Sequence, residues 1–382
     1  MKQELAAHLR NLNFKDFYSW LRNSGIGFTP IIRLPKKINP FDDNIQIFAK
    51  LEYTNNGESI KARPFAAIHF LNKISGRLNS KCKAVAATSG NFGLSGAYIL
   101  DGELEFTVYM SENTVKENRD LIAKLLDKKV TIETFSDRYC PTIGAKRGMA
   151  IAAARYLENL DSKTINYDQY DDIRNPLSHY LTTGPEIYLQ TDGTLTHFLA
   201  GLGTCGTIIG CGLFLKKFIP EIRIIGLVPE EGHHQLGLRS KDELGASTFY
   251  KEALNICDEI IEISDKKAYE GMLKLWDAEI PAGISSGTNF SGALEIARKV
   301  YHDNGKGVIV TVFPDSCENY ENFLKIHMLN IADEHPHELD SKIKKLKLIA
   351  EKARKKHVSK LKAGHDALYE KLIQIAETFR FS

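Results

Sequence analysis

The sequence is poor in the features that mark membrane, nucleic-acid-binding and secreted proteins. No stretch approaches the roughly 18 uninterrupted apolar residues that a membrane helix needs, so no spanning segment is expected. Lysine and arginine total 50 against 48 aspartates and glutamates, and the formal net charge of +2 offers no field for nucleic acid. Six cysteines (Cys82, Cys140, Cys205, Cys211, Cys257 and Cys317) are scattered without a Cys-x-x-Cys pair. That spacing predicts reduced thiols in a cytoplasmic protein, with neither a disulfide scaffold nor a metal site. Met1 to Asn23 mix Lys2, Glu4, Arg10, Lys15, Asp16 and Arg22 with apolar residues. A continuous apolar centre is missing, so no secretory leader is expected. Neither an internal repeat nor a Pro- or Ser-rich linker breaks the 382 residues.

What is present is core material in alternating blocks. At 43% hydrophobic and 26% charged, the chain can bury a sizeable core, expected as two lobes with appendages. Strands are predicted at Ile45–Ala49, Ala84–Ala87, Phe106–Met110, Val130–Thr134, Arg223–Val228 and Gly307–Phe313, and a helix at Phe65–Ile74. This alternation predicts an α/β protein with open parallel sheets, in which loops leaving the carboxyl ends of strands bind ligands. Leu5, Leu9, Leu12, Phe17 and Leu21 predict an amphipathic N-terminal helix packed on the body or on a second subunit. Beyond about Ile331 comes a Lys-rich stretch, Ser341–Ile349, followed by Leu361, Leu368, Leu372 and Ile375. It predicts one or two helices that dock an apolar stripe on the body.

Three segments, each after a predicted strand, carry chemistry. Lys61 follows the turn Asn55-Asn56-Gly57; Thr88-Ser89-Gly90-Asn91-Phe92-Gly93 is a polar turn; Gly201 to Thr207 is glycine-rich. Each alone has an ordinary explanation, since such lysines are commonly solvated and Ser and Asn commonly cap helices. Together they supply an amine that can form a Schiff base with an aldehyde, and loop amides that can bind a phosphate.

The ordered set resembles the cysteine synthase family of pyridoxal-phosphate enzymes, the β-substituted alanine synthases, from about Thr29 to about Tyr320. Thr29-Pro30-Ile31-Ile32-Arg33-Leu34, Ser59-Ile60-Lys61-Ala62-Arg63-Pro64 and Thr88 to Gly93 are similar to that family's motifs. So are Thr182-Thr183-Gly184-Pro185-Glu186, Gly203 to Thr207, Gly283-Ile284-Ser285-Ser286-Gly287 and Pro314-Asp315-Ser316. The resemblance implies two open parallel-sheet α/β domains of the tryptophan-synthase-β-like fold (fold type II), with the cofactor between them. The larger would comprise residues 28–59 plus 171–330 and the smaller residues 60–170. Helical extensions would flank them at 1–27 and 331–382.

The resemblance also implies roles. Lys61 would bind pyridoxal phosphate and act as the base. Asn91, Gly203, Thr204, Cys205, Gly206, Thr207 and Ser316 would bind the cofactor, with Asn91 on the ring hydroxyl and Ser316 at the ring nitrogen. Thr88, Ser89, Gly90, Phe92, Gln169 and Ser286 would meet the substrate. Three positions depart from the family pattern: Ala62 replaces an aspartate, Phe92 a threonine and Cys205 a glycine. A side chain at Cys205 costs roughly 1 kcal/mol if the position needs a positive φ. His179 is expected to be a structural hydrogen-bonding residue.

The expected activity is β-replacement on an activated L-serine, O-acetylserine or O-phosphoserine, through an aminoacrylate, with sulfide giving L-cysteine. Gly237-Leu238-Arg239-Ser240 leans toward the phosphoserine users. Alternatives are an amine nucleophile giving a diaminopropionate-type product, a serine or threonine dehydratase, and an inactive scaffold. The expected partners are a small amino acid and a second copy in a homodimer, with no nucleic acid and no membrane.

Overall fold

The computed structural model describes residues 8–10, 12–138, 140, 148–244, 248–328, 336–364 and 368–381. Leu5, in the predicted N-terminal helix, lies outside them. The strands are β1 (Ile31–Arg33), β2 (Ile45–Leu51), β3 (Lys83–Ala87), β4 (Glu105–Ser111), β5 (Thr131–Phe135), β6 (Thr164–Asn166), β7 (His197–Gly201), β8 (Arg223–Pro229), β9 (Glu259–Ile263) and β10 (Gly307–Phe313). The helices that matter for the site are α1 (Phe14–Ser24), α2 (Ala62–Ile74), α3 (Asn91–Leu100), α4 (Arg119–Asp127), α5 (Arg174–Leu181), α6 (Thr183–Gln190), α7 (Gly206–Phe218), α8 (Ile284–His302), α9 (Pro336–Lys362) and α10 (Tyr369–Glu377).

A large sheet runs in the order β1-β2-β10-β7-β8-β9 and a small one in the order β5-β4-β3-β6. Among the described strands the β1–β2 pair is antiparallel and the remaining pairs are parallel. The fold is thus a mixed α/β architecture of open parallel sheets. Both faces of the central strands are buried because side chains alternate across a strand. In β10, Val310 and Val312 enter one core while Ile309 and Phe313 enter the other. In β3, Ala84 and Ala86 face a third core, and Val85 and Ala87 face a fourth.

Helix α2 lies between the two layers and is buried on every side from Ala62 to Asn72. Ala62, Ala66, Ala67, Phe70 and Leu71 join the large-sheet core, while Phe65 and Ile68 join the small-sheet core. Phe65 stacks on Tyr167 with ring centroids 4.3 Å apart. Each fully buried side chain of this kind contributes roughly 1.5–3 kcal/mol, so the helix that follows Lys61 is held from both sides. Pro64 is tolerated because it sits in the first turn, where amides lack helical partners anyway.

The two ends of the chain pack together on the body. Asn13 caps α1 by accepting from the Asp16 amide at 3.2 Å, and Gly25 ends the helix at φ 73°. Phe14, Phe17, Tyr18 and Leu21 are buried, and Arg22 stands over the Tyr369 ring of α10 at 4.2 Å. On α9, Leu339, Ile343, Leu346 and Ala350 recur at helical spacing and are buried, while the lysines face outward. No helix among the described residues is long and apolar enough to cross a membrane.

Candidate active site

A cavity opens where the loops after β2, β7 and β10 meet, and these three strands are neighbours in the large sheet. Lys61 sits at the N-cap position of α2, and its amine is 3.5 Å from the Thr204 hydroxyl. Burial, and then the Arg239 guanidinium, push that amine down to about 8, against the opposing pull of Cys205 and Asp315. A lysine so placed is partly neutral near neutral pH, which a nucleophile or base requires.

Gly203, Thr204, Cys205, Gly206 and Thr207 all line this cavity as β7 turns into α7. Among the described residues no side chain caps α7, and its first residues, Gly206 and Thr207, line the same cavity as Lys61, which puts the positive end of the helix dipole at that cavity. Gly206 is required by close approach: a Cβ there would collide with Asn175 Oδ1. Asn175 in turn donates to the Thr204 hydroxyl at 3.0 Å. Cys205 does adopt the left-handed region, with φ 63°, although it is not glycine. Burial pushes its thiol up to about 12, so it is a neutral side chain at physiological pH. His179 lies 3.3 Å from the Thr207 hydroxyl and 2.8 Å from that of Thr183. Burial, with Arg63 and Lys61 nearby, holds it neutral.

Beyond β10 the chain continues as a bridge, Asp315 pairing with Ser59 and Ser316 with Ala282. Alternation then sends the two side chains opposite ways. Asp315 faces the cavity, 2.7 Å from Asn91 Nδ2, 2.5 Å from the Tyr320 hydroxyl and 3.4 Å from the Ser285 hydroxyl. Ser316 does not line the cavity; its hydroxyl donates to Glu318 Oε2 at 2.8 Å. Ser316 was expected at the ring nitrogen, and here its hydroxyl is turned toward Glu318. Asp315 and Ser285 occupy the wall that Ser316 was expected to provide.

The substrate turn is mixed. Asn91 lines the cavity, Ser89 is exposed beside it, and Gly90 holds φ 145° where a Cβ would strike Leu121. The Thr88 hydroxyl is spent on the turn itself, accepting from the Gly90 amide at 2.8 Å. Phe92 does not reach the cavity; its ring is 1% exposed and packs on Phe65 with centroids 5.1 Å apart. Gln169 donates to the Ala87 carbonyl at 3.0 Å, and Ser286 to the Asp315 carbonyl at 3.4 Å. Neither Gln169 nor Ser286 lines the cavity, so their geometry is that of supports. Arg239, whose charge reaches Lys61, stands over the Tyr170 ring at 4.9 Å.

Beneath Lys61 lies a buried four-charge cluster. Arg63 donates to both oxygens of Glu52 (2.6 and 2.7 Å) and both of Glu186 (2.7 and 2.8 Å). Lys50 completes it at 2.7 Å from Glu186. Burial pushes the Glu186 carboxyl up, but Arg63 and then Lys50 more than offset this and hold it near about 2. Two cations balance two anions, which is the condition for burying them.

A reactive amine and an uncapped helix N-terminus on one cavity fit a phosphorylated aldehyde, with Lys61 able to take the aldehyde and the α7 amides the phosphate. The family described as pyridoxal-phosphate dependent enzyme matches residues 23–315. Cysteine synthase of Aquifex aeolicus is 34% identical over 300 residues, spanning 77% of this chain and 88% of that protein. The crystal structure of O-acetylserine-dependent cystathionine β-synthase from Helicobacter pylori superposes with a TM-score of 0.69 at 26% identity, covering 78% of this chain and 96% of that one. O-ureido-L-serine synthase superposes with a TM-score of 0.69 at 25% identity, covering 82% and 96%. Because the match runs through every loop that lines the cavity, from Lys61 to Asp315, the chain belongs to the pyridoxal-phosphate-dependent enzyme family and works with that cofactor.

Proposed function

We propose that this enzyme replaces the β-substituent of an activated L-serine, with sulfide as the nucleophile and L-cysteine as the product. The observation that carries this is the Lys61 amine, lowered to about 8 and set 3.5 Å from the glycine-rich loop. Lys61 would hold the cofactor, the amides of Gly203 to Thr207 its phosphate, Asn91 its ring hydroxyl, and Ser285 with Asp315 the ring-nitrogen side. Bound there, the cofactor supplies an electron sink for the pair left on the substrate α-carbon.

The protein's own groups do the rest. The turn Ser89-Gly90-Asn91 would bind the substrate carboxylate through backbone amides at the start of α3. The neutral Lys61 amine takes the α-proton; the acetate or phosphate leaves from the β-carbon with the bonding pair of the C–O bond, and hydrosulfide forms the new C–S bond in its place. Lys61 then returns the proton to the α-carbon. Arg239, next in sequence to the cavity-lining Leu238 and close enough for its charge to act on Lys61, would favour the more highly charged phosphate leaving group over acetate. O-phosphoserine is on that ground the preferred donor over O-acetylserine. The same reading carries a cytoplasmic homodimer, which light scattering of the purified protein checks for mass.

The test is a competition. The holoenzyme is given sulfide with equal O-acetylserine and O-phosphoserine, one of them isotopically labelled, and cysteine is weighed by mass spectrometry. Labelled cysteine mainly from the phosphate ester supports the full reading; preference for the acetyl ester overturns the donor. Keto acid and ammonia from serine or threonine, without added nucleophile, would replace the reading with a dehydratase.

A further inference from the structure

On α9 the buried stripe of Leu339, Ile343, Leu346 and Ala350 continues at helical spacing to Arg354 and Leu361. A guanidinium thus stands where the helix faces the body, with 13% of its side chain exposed. Its Nη1 and Nη2 donate to the two carboxylate oxygens of Glu318 at 2.8 and 3.0 Å, and Nη2 lies 3.5 Å from Glu58. A charge buried so far is tolerated only because these carboxylates meet it.

Both carboxylates lead to the active site. Glu58 lies three residues before Lys61 and adopts φ 65°; its Oε2 accepts from Lys124 Nζ at 2.5 Å. Lys124 belongs to α4 of the small-sheet layer, and it also donates to Asn319 Oδ1 at 2.7 Å. Asn319 Nδ2 donates to Asn91 Oδ1 at 3.1 Å, while Asn91 Nδ2 donates to Asp315. The orientation of the Asn91 amide is therefore set at both ends, and one of those ends is reached from α9. Glu318, Asn319 and α9 all lie beyond residue 315, where the family match stops.

We infer that α9 is a strap that keeps the small-sheet layer and the Asn91 turn seated over the cavity, with Arg354 and Lys124 as positioning residues for the proposed β-replacement. The inference rests on that reading for its kinetic consequence alone. Both act at a distance from the reacting atoms: Arg354 holds Glu318 and Glu58, and Lys124 holds Glu58 and Asn319.

The experiment uses full-length Arg354→Met, Lys124→Met and their combination. Expected is a rise of about three- to ten-fold in KM for the serine ester, with kcat and the KM for sulfide near wild type. The double variant should be no worse than either single one, and Arg354→Lys should recover part of the loss. Hydrogen exchange should quicken in residues 88–100 and 119–127 in each variant. Lys355→Ala, one position along α9 and paired with Glu351, should change neither. An unchanged KM with a lowered melting point, or unchanged exchange in 119–127, would overturn the strap. If Arg354→Met fails to fold, Lys124→Met carries the same test from the other end of the network. If the wild type makes no product from any serine ester, the proposed function fails, and the exchange measurement still decides the strap.

Discussion

Asn91 donates its side-chain amide to Asp315 at 2.7 Å and so ties the turn after β3 of the small sheet to the segment after β10 of the large one. Asp315 is buried, and burial raises its carboxyl from 3.8 to about 6 despite hydrogen bonds from Tyr320, Asn91 and Ser285. A folded value above the unfolded one means that the protonated form fits the fold better. That contribution is complete below about 4 and is lost as pH rises through about 6. At pH 7.5 the ionised carboxyl costs the cofactor-free protein on the order of 3 kcal/mol. Urea midpoints of Asp315→Asn relative to wild type are therefore expected to rise between about pH 4 and 6 and to level off above about 7. A difference that does not vary with pH would mean that Asp315 ionises normally.

Lys61→Ala removes the amine at the cavity floor. Turnover is expected to fall by about 10²- to 10⁴-fold, the range for a lost acid–base group. The visible absorbance of the purified protein should also change, because the covalent anchor is gone. Retention of both the spectrum and the rate would exclude Lys61 from the chemistry.

Arg63→Met leaves Glu52 and Glu186 facing each other in the core with only Lys50 to balance them. Breaking a buried pair from one side costs about 3–5 kcal/mol. Chemical denaturation should show a loss of that size, and cofactor binding should weaken as α2 loosens. A loss under about 1 kcal/mol would place the cluster among surface-like ion pairs.

The glycine-rich loop gives opposite expectations at adjacent positions. Gly206→Ala drives a methyl into Asn175 and should abolish pyridoxal-phosphate binding in a fluorescence titration of the apoprotein. Cys205→Gly relieves a left-handed residue worth about 1 kcal/mol and should keep both cofactor affinity and activity, since the loop binds through amides. Loss of activity in Cys205→Gly with intact binding would give the thiol a part in the reaction.

Local chemistry made much of this protein legible in one dimension. The alternating apolar blocks are strands and helices in the expected order, because burial on both sheet faces leaves continuous apolar runs such as Gly307–Phe313. Lys61 and the loop Gly203 to Thr207 converge because each follows a strand of the large sheet, whose neighbouring parallel strands deliver their loops to one edge, and Asn91 is brought to the same cavity by the loop after β3 of the small sheet. The positive φ of Cys205 meets the condition that the sequence left open, at a position where the family pattern has glycine.

Contacts between distant segments decided the remainder. Whether Asp315 or Ser316 faces the cavity depends on a register of one residue, set by pairing with Ser59 and Ala282, which lie more than 250 and more than 30 positions away in sequence respectively. Phe92 left the substrate for the core because Phe65 and Tyr167 supply an aromatic cluster that no motif announces. Lys124 and Arg354 sit in stretches that read as ordinary solvated charge. Sequence alone determined which loops carry the chemistry, since turn and strand preferences are local. Only the tertiary structure decided which side chains face the cavity and what holds them there, since register, packing and charge pairing arise when distant segments meet.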